Sequence, residues 1–466
     1  MSDDFNRIAR RDLDEALGRA APALQMLDGG AIFLTGGTGF FGTWLVALLA
    51  HARETLGLRL ELTLLTRRPE AFLRLAPGAV GQDFIRLHRG DVRSFEFPKG
   101  RFTHVVHAAT DTSVAADRHA ATLIDSMVGG TQRVLEFARA AEVRRLLYVS
   151  SGAVYGPQPA DLDQVPETYP GACDPLDPRS AYGQAKRMAE QLCSCAAVGS
   201  RLEPVIARAF AFVGPGLPLD GHFAIGNFIR DAVAGAPIVV AGDGTPLRSY
   251  LYAGDLAAWL VTLLAQGEAG TAYNVGSDDA VSIADLASLV ARTLPSATGV
   301  QIRGTATAGA HRSRYVPSIA RAQCLGLAAW TPLDEAIRRT AAHAAAAPSP
   351  AAASDMPHRN EHGGERQTFV IDVDGVVASL VPDNDYARAE PLEGTIAAIN
   401  RLHAAGHRIV MFTARGSATG LDWSAVTRDQ FARWGLHYDE LHFGKPAGDY
   451  YVDDRLISIA ALQALA

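Results

Sequence analysis

The chain has 466 residues, of which 48% are hydrophobic and 20% are charged, and its formal net charge is −7. This composition excludes a disordered or fibrous protein, and the length predicts about two or three domains. The negative net charge provides no basic surface for nucleic acid or for an anionic membrane, so neither is an expected partner.

The cysteines and the first thirty residues bear on the cellular compartment. Four scattered cysteines are too few for a disulfide scaffold or a zinc site. The start of the chain is charged and amphipathic, with Asp3, Arg10 and Asp12, and does not resemble a signal peptide. The most apolar run, 31–50, is interrupted by glycines and suits a strand, a turn and a helix better than a membrane span. We therefore expect a soluble cytoplasmic protein with an N-terminal helical extension at residues 1–28.

From residue 31 to about residue 149, short apolar runs alternate with longer helical patterns. This rhythm predicts an α/β fold with a Rossmann doubly wound parallel sheet and helices on both faces. A less regular region follows and is expected to form a small substrate-binding lobe, so that the first domain spans 29–345. The predicted strands are 31–35, 60–66, 84–88, 103–107 and 145–150.

The first predicted strand leads into the glycine-rich segment TGGTGFFG and then into a helix. Gly36 permits a tight turn, Gly39 lets backbone amides approach a pyrophosphate, and Gly42 allows close helix packing. A purely structural turn is the alternative. The second strand ends in Arg67 and Arg68 rather than in a carboxylate for the adenine ribose, and a guanidinium suits a 2′-phosphate. We therefore favour NADP over NAD; the alternative is that both arginines are solvated surface residues.

Tyr182 and Lys186 are one helical turn apart at the start of a predicted helix. A phenol has an ordinary pKa near 10, and a neighbouring lysine and a nicotinamide cation lower it by stabilising the phenolate. A serine at 150 or 151 ends the preceding strand. Its hydroxyl could hold a substrate oxygen while a hydride moves between carbon and cofactor.

Six segments occur in the order found in the extended short-chain dehydrogenase/reductases: TGGTGFFG, GDV, HAAT, SSGAVYG, YGQAK and RSYLYAGDLA. The domain resembles the NAD-dependent epimerase/dehydratase branch of that family, in which dimers are frequent, so a homodimer is expected. The resemblance implies catalytic roles for Ser151, Tyr182 and Lys186, and a contact between Arg248 and the diphosphate of a nucleotide sugar. Together with Arg67, the expected cofactor site comprises Gly36, Gly39, Phe40, Phe41, Gly42, Asp91, Val92, Ala108, Ala109, Tyr182 and Lys186.

Other features refine the expected substrate and reaction. His222 and Asn227 lie in a stretch positioned like a substrate loop and helix, and Arg312 or Arg314 is a second candidate for the diphosphate. Sugar 4,6-dehydratases resembling this domain carry an Asp-Glu pair where this chain has Gly-Ala at 152–153, so dehydration is disfavoured. Epimerisation through a transient ketone, net reduction and net oxidation remain open, because the same tyrosine, lysine and serine serve all three.

Residues 346–366 are rich in alanine, proline and polar residues and predict a flexible linker. A second α/β pattern begins at 367, where the predicted strand TFVID delivers Asp372, followed two residues later by Asp374. Two carboxylates so close together favour an oxygen-loving cation such as Mg²⁺. A simple turn or a calcium loop is the alternative, although an EF-hand loop needs further acidic ligands.

Three later segments complete this pattern: FTARG with Thr413, FGKP with Lys445 and VDDR with Asp453. Together with the preceding DVDG segment, and in this order, they resemble the four motifs of haloacid dehalogenase-like phosphatases, especially small phosphatases of capsule and surface-polysaccharide pathways. The resemblance implies that Asp372 is the nucleophile and Asp374 the acid/base. It also implies that Thr413 and Lys445 bind phosphate, and that Asp372, Asp374 and Asp453 hold Mg²⁺. The short spacing to Thr413 leaves no room for a large cap, so 367–466 is expected to be a second, small Rossmann-like capless phosphatase domain.

The two parts together predict a bifunctional enzyme of sugar or surface-polysaccharide metabolism. One domain would perform NAD(P)-dependent epimerisation, reduction or oxidation of a nucleotide sugar, and the other would hydrolyse a phosphomonoester of a small molecule. The alternatives are a phosphatase with a non-catalytic dinucleotide-binding scaffold domain, and an active dehydrogenase with a merely structural C-terminal domain.

Overall fold

The computed structural model describes residues 8–75, 83–110, 120–171, 173–219, 221, 223–305, 312–346, 368–379, 381, 385–415 and 422–443. The chain divides into two compact units, Met1–Ala347 and Pro348–Ala466. Among the helices in these ranges, none is both long enough and apolar enough to cross a membrane.

The strands of the first unit build one large sheet and three small ones. Each of the five predicted strands is present, with its boundaries within one residue of the prediction. In chain order the strands are β1 (Ala31–Thr35), β2 (Glu61–Thr66), β3 (Ile85–Arg89), β4 (His104–His107), β5 (Arg145–Ser151), β6 (Glu203–Ala209), β7 (Phe212–Val213), β8 (Ile238–Val240), β9 (Leu247–Arg248), β10 (Leu251–Tyr252), β11 (Ala272–Val275), β12 (Val281–Ser282), β13 (Val300–Ile302) and β14 (Arg314–Tyr315).

The large sheet has the order β11-β6-β5-β4-β1-β2-β3, and all of its strands are parallel. The chain places β2 and β3 on one side of β1 and then crosses over to place β4, β5 and β6 on the other side, so the strand order reverses between β1 and β4. In open α/β sheets, ligands bind at the carboxyl ends of the strands beside such a switch point. β9 pairs with β12 and β14, β7 pairs with β10, and β8 pairs with β13.

Ten helices are described in the first unit. They are α1 (Arg10–Met26), α2 (Phe40–Leu56), α3 (Pro69–Leu75), α4 (Ala120–Ala140), α5 (Ala181–Ala197), α6 (Ala224–Val233), α7 (Ala253–Gln266), α8 (Ile283–Thr293), α9 (Ala320–Gln323) and α10 (Leu333–Ala346).

Alternate residues of β1 show why helices cover both faces of the sheet. Successive strand side chains point to opposite faces. Ile32 and Leu34 belong to the core that includes Trp44 of α2, whereas Phe33 belongs to a second core that includes Phe137 of α4. Both faces of the central strand are therefore buried, which confirms the predicted Rossmann-like α/β fold with a large parallel sheet.

The N-terminal helix α1 is joined to the rest of the unit by buried ion pairs. Arg339 of α10 lies 2.6 Å from Asp12 and 2.8 Å from Glu15, and Arg19 pairs with Asp255 of α7. Burial raises the pKa of Asp12, against the opposing effect of Arg339. The pairing with Arg339 therefore offsets only part of the cost of removing this carboxylate from water.

The second unit contains a smaller parallel sheet. Its strands have the order β15 (Thr368–Asp372), β16 (Arg408–Thr413), β17 (Glu440–Phe443), and its described helices are α11 (Glu393–Ala404) and α12 (Ser424–Trp434). Its core contains Val373, Ile399, Ile409, Met411 and Phe431.

Candidate active sites

The glycine-rich turn lies between β1 and α2, beside the residues that follow β4. Gly36 has a φ of 76°, and a Cβ at this position would lie 2.6 Å from the carbonyl carbon of Ala108. A Cβ on Gly42 would lie 2.2 Å from the carbonyl oxygen of Gly36, so neither glycine can be replaced without moving backbone. At Gly39 the nearest atom would be 3.5 Å from a Cβ, which leaves the backbone accessible.

The start of α2 suits an anionic ligand. The helix begins at Phe40 and has no acidic side chain in its first turn. Exposed amides and the positive end of the helix dipole attract a phosphate there, with no carboxylate to repel it. The chain therefore fits the pyrophosphate of NAD(P). Phe40 and Phe41 are the first two residues of α2, and Phe41 packs edge-on against Phe212 with 4.9 Å between ring centroids.

The expected adenine end of the site is rich in arginine. Arg67 and Arg68 are exposed at the end of β2. Asp91 accepts a hydrogen bond from Arg93 Nε at 2.9 Å, and this bond is the main cause of the lowered pKa of Asp91, to which Arg67 adds a smaller effect. Val92 packs against α4. Arg67 follows β2, whereas Asp91 and Val92 follow its neighbour β3, so these three expected cofactor contacts lie at the carboxyl ends of two adjacent strands.

A buried histidine that the sequence analysis did not single out anchors the segment after β4. Atom Nδ1 of His107 lies 2.7 Å from Oγ1 of Thr35, and Nε2 lies 3.1 Å from Oγ1 of Thr131. Burial, with a smaller effect of Lys186, lowers the pKa of His107 to about 3, so the imidazole is neutral. Thr35 Oγ1 also accepts the N–H of Ala109 at 3.2 Å. These bonds fix the backbone against which the glycine turn packs.

Tyr182 and Lys186 lie on the first two turns of α5. Lys186 is buried, and its Nζ donates to the carbonyl of Val149 at 2.7 Å and to Oγ1 of Thr110 at 2.8 Å. The ammonium lies 5.9 Å from the centre of the Tyr182 ring. Burial lowers the pKa of Lys186 to about 7, although Glu190 opposes this effect.

The two serines at the end of β5 have different partners. Ser150 donates to Glu190 Oε1 at 2.5 Å. Ser151 Oγ accepts the N–H of Ala153 at 3.1 Å and lies 3.4 Å from the hydroxyl of Tyr315. Adjacent strand residues point to opposite faces. Of the two candidate serines, Ser151 is therefore the one that lies beside the phenol of Tyr315.

Tyr315 is a further site residue that the sequence analysis missed. Its ring packs at a tilt against Phe210 with 4.6 Å between centroids, and burial raises the pKa of the Tyr315 hydroxyl. In β14, Tyr315 lies opposite Arg248 of β9. The pairing of these two strands therefore brings Arg248, which is expected to bind the diphosphate, close to the tyrosine that contacts Ser151. No local motif marks this tyrosine.

The other expected substrate residues are less directly connected. The Arg248 guanidinium donates to the carbonyl of Leu247 at 2.7 Å. Asn227 donates to the carbonyl of Gly221 at 3.1 Å and accepts from Arg230 at 3.0 Å, so its amide is used within its own loop and helix. His222 lies outside the described residues.

Arg312 and Arg314 differ in their surroundings. Arg314 pairs with Asp163, whereas Arg312 is exposed. The exposed guanidinium is the more accessible of the two for a diphosphate.

In the second unit, the predicted site residues lie at the carboxyl ends of adjacent parallel strands. Asp372 ends β15 opposite Phe412, and Thr413 ends β16. Asp372 Oδ1 accepts the N–H of Val373 at 2.8 Å, and Thr413 Oγ1 accepts the N–H of Arg415 at 3.1 Å. These two side chains thus reach the same edge of the small sheet.

Arg415 is the partner of Asp374 that the sequence analysis did not identify. The buried guanidinium lies 3.0 Å and 2.7 Å from the two carboxylate oxygens, and its other nitrogen donates to Gln430 at 2.6 Å and Thr427 at 3.1 Å. The carbon of the guanidinium lies 4.9 Å from the centre of the Tyr386 ring. The expected proton transfer by Asp374 would therefore require a change in this ion pair.

The other two residues of the expected phosphatase site, Lys445 and Asp453, lie outside the described residues. Within the described ranges, no group of three or more His, Cys, Asp or Glu side chains is placed to hold a metal ion. Asp372 and Asp374 are carboxylates, the ligand type that Mg²⁺ prefers, but both oxygens of Asp374 are paired with Arg415. Binding of Mg²⁺ by the three expected carboxylates would need Asp453 and a change in this ion pair.

Comparisons with known proteins agree with this geometry in the first unit. The sequence pattern of the "NAD dependent epimerase/dehydratase family" matches residues 32–276. UDP-glucuronic acid decarboxylase 2 of Arabidopsis thaliana is 32% identical over 209 residues, which are 45% of this chain and 45% of that protein. The chain thus spans about half the length of this curated relative.

Two solved structures have a similar fold. MoeE5 in complex with UDP-glucose and NAD is 26% identical, with a TM-score of 0.55 over 68% of this chain and 98% of that chain. The UDP-glucose 4-epimerase of Thermotoga maritima with UDP-glucose is 20% identical, with a TM-score of 0.58 over 67% of this chain and 98% of that chain.

Proposed function

The chain belongs to the NAD dependent epimerase/dehydratase family, and from that membership we propose that residues 29–345 carry out NAD(P)-dependent chemistry on a nucleotide sugar. The relatives named above act on or bind UDP sugars according to their names. The alternative, a non-catalytic scaffold, would not need the set Ser151, Tyr182 and Lys186.

One observation carries the proposal: three consecutive residues connect the glycine turn to the lysine. Gly36 packs against Ala108 and Ala109, and Thr110 accepts the hydrogen bond from Lys186 at 2.8 Å. A cofactor with its pyrophosphate at the glycine turn would therefore extend along this segment toward Tyr182. This short connection supports a single pocket for binding and chemistry.

Each catalytic side chain has a distinct role in this proposal. NAD(P), when bound, supplies the acceptor or donor of the hydride. Tyr182 accepts or returns the proton of the reacting sugar hydroxyl, and the Lys186 ammonium stabilises its phenolate. Ser151 donates a hydrogen bond to the same sugar oxygen and orients it toward Tyr182.

The surroundings of Gly152 disfavour dehydration. A Cβ on Gly152 would lie 2.7 Å from the ring of Phe210, so an acidic side chain would not fit there unless that ring moved. Water elimination needs an acid and a base near the sugar. Epimerisation through a transient ketone, or net reduction or oxidation of one carbon, is the reaction that we propose.

Decarboxylation is a second candidate, because the curated relative described above is a UDP-glucuronic acid decarboxylase. The same three residues could serve this reaction. Oxidation of a sugar hydroxyl to a ketone β to a carboxylate makes loss of CO₂ favourable. The enolate that remains takes up a proton on carbon, from Tyr182 or from water, and return of the hydride then reduces the ketone to a hydroxyl.

The test is incubation of the purified full-length protein with NAD(P) and UDP-glucose, UDP-glucuronic acid or dTDP-glucose. We expect at least one sugar to be converted. An epimer keeps the mass of its substrate, a decarboxylated product lacks CO₂, and net reduction or oxidation changes the nicotinamide absorbance stoichiometrically. Mass spectrometry and sugar analysis separate these results. If every sugar is recovered unchanged while the cofactor is bound, the catalytic proposal is wrong.

We further propose that NADP is preferred over NAD, because Arg67 and Arg68 are exposed where β2 ends. The variant Arg67→Ala is expected to weaken NADP binding about tenfold to a hundredfold, as expected for a lost charge-assisted hydrogen bond. NAD binding should not change. Fluorescence titration of both cofactors provides the measurement, and Arg86→Ala, which removes another exposed arginine, is the control. An unchanged NADP preference in Arg67→Ala would contradict this assignment.

For the C-terminal unit, we propose Mg²⁺-dependent hydrolysis of a phosphomonoester. The positions of Asp372 and Thr413 at one edge of the small sheet support this proposal. Asp372 would attack phosphorus, Asp374 would exchange the proton of the leaving oxygen, and Thr413 and Lys445 would bind phosphate. Mg²⁺, held by Asp372, Asp374 and Asp453, would reduce the repulsion between carboxylate and phosphate.

A homodimer and a reducing compartment are also part of the proposal. Ile124 of α4 and Met188 of α5 expose 40% and 51% of their surface, which supports an apolar interface on these adjoining helices. All four cysteines are free thiols, as expected in the cytoplasm.

A further inference from the structure

Glu190 lies at the centre of a half-buried ionic cluster on the helix that carries Tyr182 and Lys186. Its side chain is 13% exposed and follows Lys186 by one helical turn. Arg208 of β6 contacts both carboxylate oxygens, with Nη2 at 2.7 Å from Oε2 and Nε at 3.0 Å from Oε1. Ser150 donates to Oε1 at 2.5 Å. The carboxylate is therefore held from two strands of the sheet.

Arg208 is itself fixed in place. Its Nη1 donates to the hydroxyl of Tyr155 at 2.8 Å, and its guanidinium lies 4.8 Å from the centre of that ring. Tyr155 in turn donates to Asn274 at 2.7 Å. Because each partner is held by another, the charge of Glu190 has a fixed position relative to Lys186.

Among the described neighbours of Lys186, Glu190 is the main group that stabilises its positive charge. Burial keeps the other titratable groups neutral: it raises the pKa values of Tyr148 and Cys193 and lowers that of His107 to about 3. Among these described neighbours, Glu190 is the one carboxylate. The charged and titratable groups facing Lys186 are Tyr182, Glu190 and Cys193 of α5, Tyr148 of β5, His107 of β4 and, through Glu190, Arg208 of β6.

We propose that Glu190 is a positioning residue that keeps Lys186 in its ammonium form, so that Lys186 can stabilise the phenolate of Tyr182. This role rests on the proposed hydride chemistry. Burial alone disfavours the ammonium, and the carboxylate one turn away opposes that cost. Arg208 and Ser150 act by holding Glu190, and neither touches Lys186 in the described structure.

The decisive variant is Glu190→Gln, which keeps the shape and an acceptor for Ser150 but removes the charge. The lysine then loses an attractive charge and still experiences the repulsion of Arg208. We expect the alkaline limb of the kcat profile to move about one pH unit toward acid. The turnover above that limb should fall about tenfold relative to wild type, and the KM of the nucleotide sugar should not change. Glu190→Asp should restore most of the wild-type profile.

The matched control is Glu203→Gln. Glu203 also pairs with arginines on the same sheet, at 3.1 Å from Arg144 and 3.1 Å from Arg145, but it lies at the opposite end of β6. Its removal should leave the alkaline limb unchanged. A uniform loss of turnover in Glu190→Gln at every pH, without movement of the limb, would show a purely structural clamp and would overturn the proposal.

A second measurement tests the proposal even if no substrate is turned over. Above its folded pKa, Lys186 is neutral in the folded protein and takes up a proton on unfolding, so stability rises with pH between its folded and unfolded pKa values. In the wild type this window begins near the Lys186 pKa of about 7. In Glu190→Gln it should begin about one pH unit lower, with about half a proton more taken up near pH 6.5. Urea unfolding between pH 6 and 8 measures this uptake, and equal proton uptake in the variant and wild type would refute the role of Glu190.

Discussion

Replacing Tyr182 by phenylalanine is expected to lower the turnover of a nucleotide sugar by about a thousandfold, while NAD(P) still binds. The phenol hydroxyl is the proposed proton acceptor, and loss of a general acid–base group costs about two to four orders of magnitude. Phenylalanine retains the ring, whose centre lies 5.9 Å from Lys186 Nζ. The measurement combines initial rates with a cofactor titration of the same preparation.

The control for this variant is Tyr169→Phe. The ring of Tyr169 packs on Tyr155 at 6.2 Å between centroids, and its hydroxyl has no proposed part in the reaction. This control should retain nearly full turnover. Substantial turnover by Tyr182→Phe would mean that another group accepts the proton, and Tyr315, beside Ser151, would then be the next residue to replace.

The features that could be predicted from the sequence are those with local causes. Gly36 and Gly42 lie where a Cβ would strike backbone, so a short segment of sequence reports the turn directly. Tyr182 and Lys186 are one turn apart on a single helix, and that spacing is visible without knowledge of the fold. Five of the seven strands of the large sheet were predicted as well, because short apolar or β-branched runs alternate there with helical patterns. The other two, β6 and β11, lie in the less regular region and were not predicted.

The residues that sequence reasoning missed depend on long-range packing. Tyr315 meets Ser151 because β14 pairs with β9, and 164 positions separate the two residues. Arg208 of β6 contacts Glu190 of helix α5 only because that helix packs against the sheet. Neither pair has a characteristic spacing, so only the folded chain brings them together.

Arg415 illustrates the same limit in the C-terminal unit. In the segment FTARG the sequence analysis assigned a role only to Thr413. In the structure, the buried guanidinium of Arg415 pairs with Asp374, 41 positions away in the sequence. A charged pair of this kind is stable only when both members are well hydrogen-bonded, and Gln430 and Thr427 complete that requirement. Assigning proton transfer to Asp374 from sequence alone therefore overlooked its main contact.

The variant Asp372→Asn is expected to reduce phosphatase turnover by at least about a thousandfold, because the amide has nearly the shape of the carboxylate but is a far weaker nucleophile. Its oxygen can still accept the N–H of Val373, which lies 2.8 Å from Oδ1 in the wild type. The fold should therefore be retained. Hydrolysis of p-nitrophenyl phosphate and of sugar phosphates, with Mg²⁺ and with excess chelator, measures the effect on the full-length protein.

The comparison with Asp422→Asn separates loss of the nucleophile from a general loss of acidic charge. Asp422 is exposed, accepts the N–H of Ser424 at 2.8 Å and has no proposed part in the reaction, so this variant should hydrolyse the same substrates at nearly the wild-type rate. The Asp372→Asn variant should still convert a nucleotide sugar, because the residues proposed to catalyse that reaction, Ser151, Tyr182 and Lys186, lie in the first unit. If Asp372→Asn retained more than about a tenth of the phosphatase rate, Asp372 could not be the attacking group, since removal of a nucleophile costs far more than tenfold. The small sheet would then have another role.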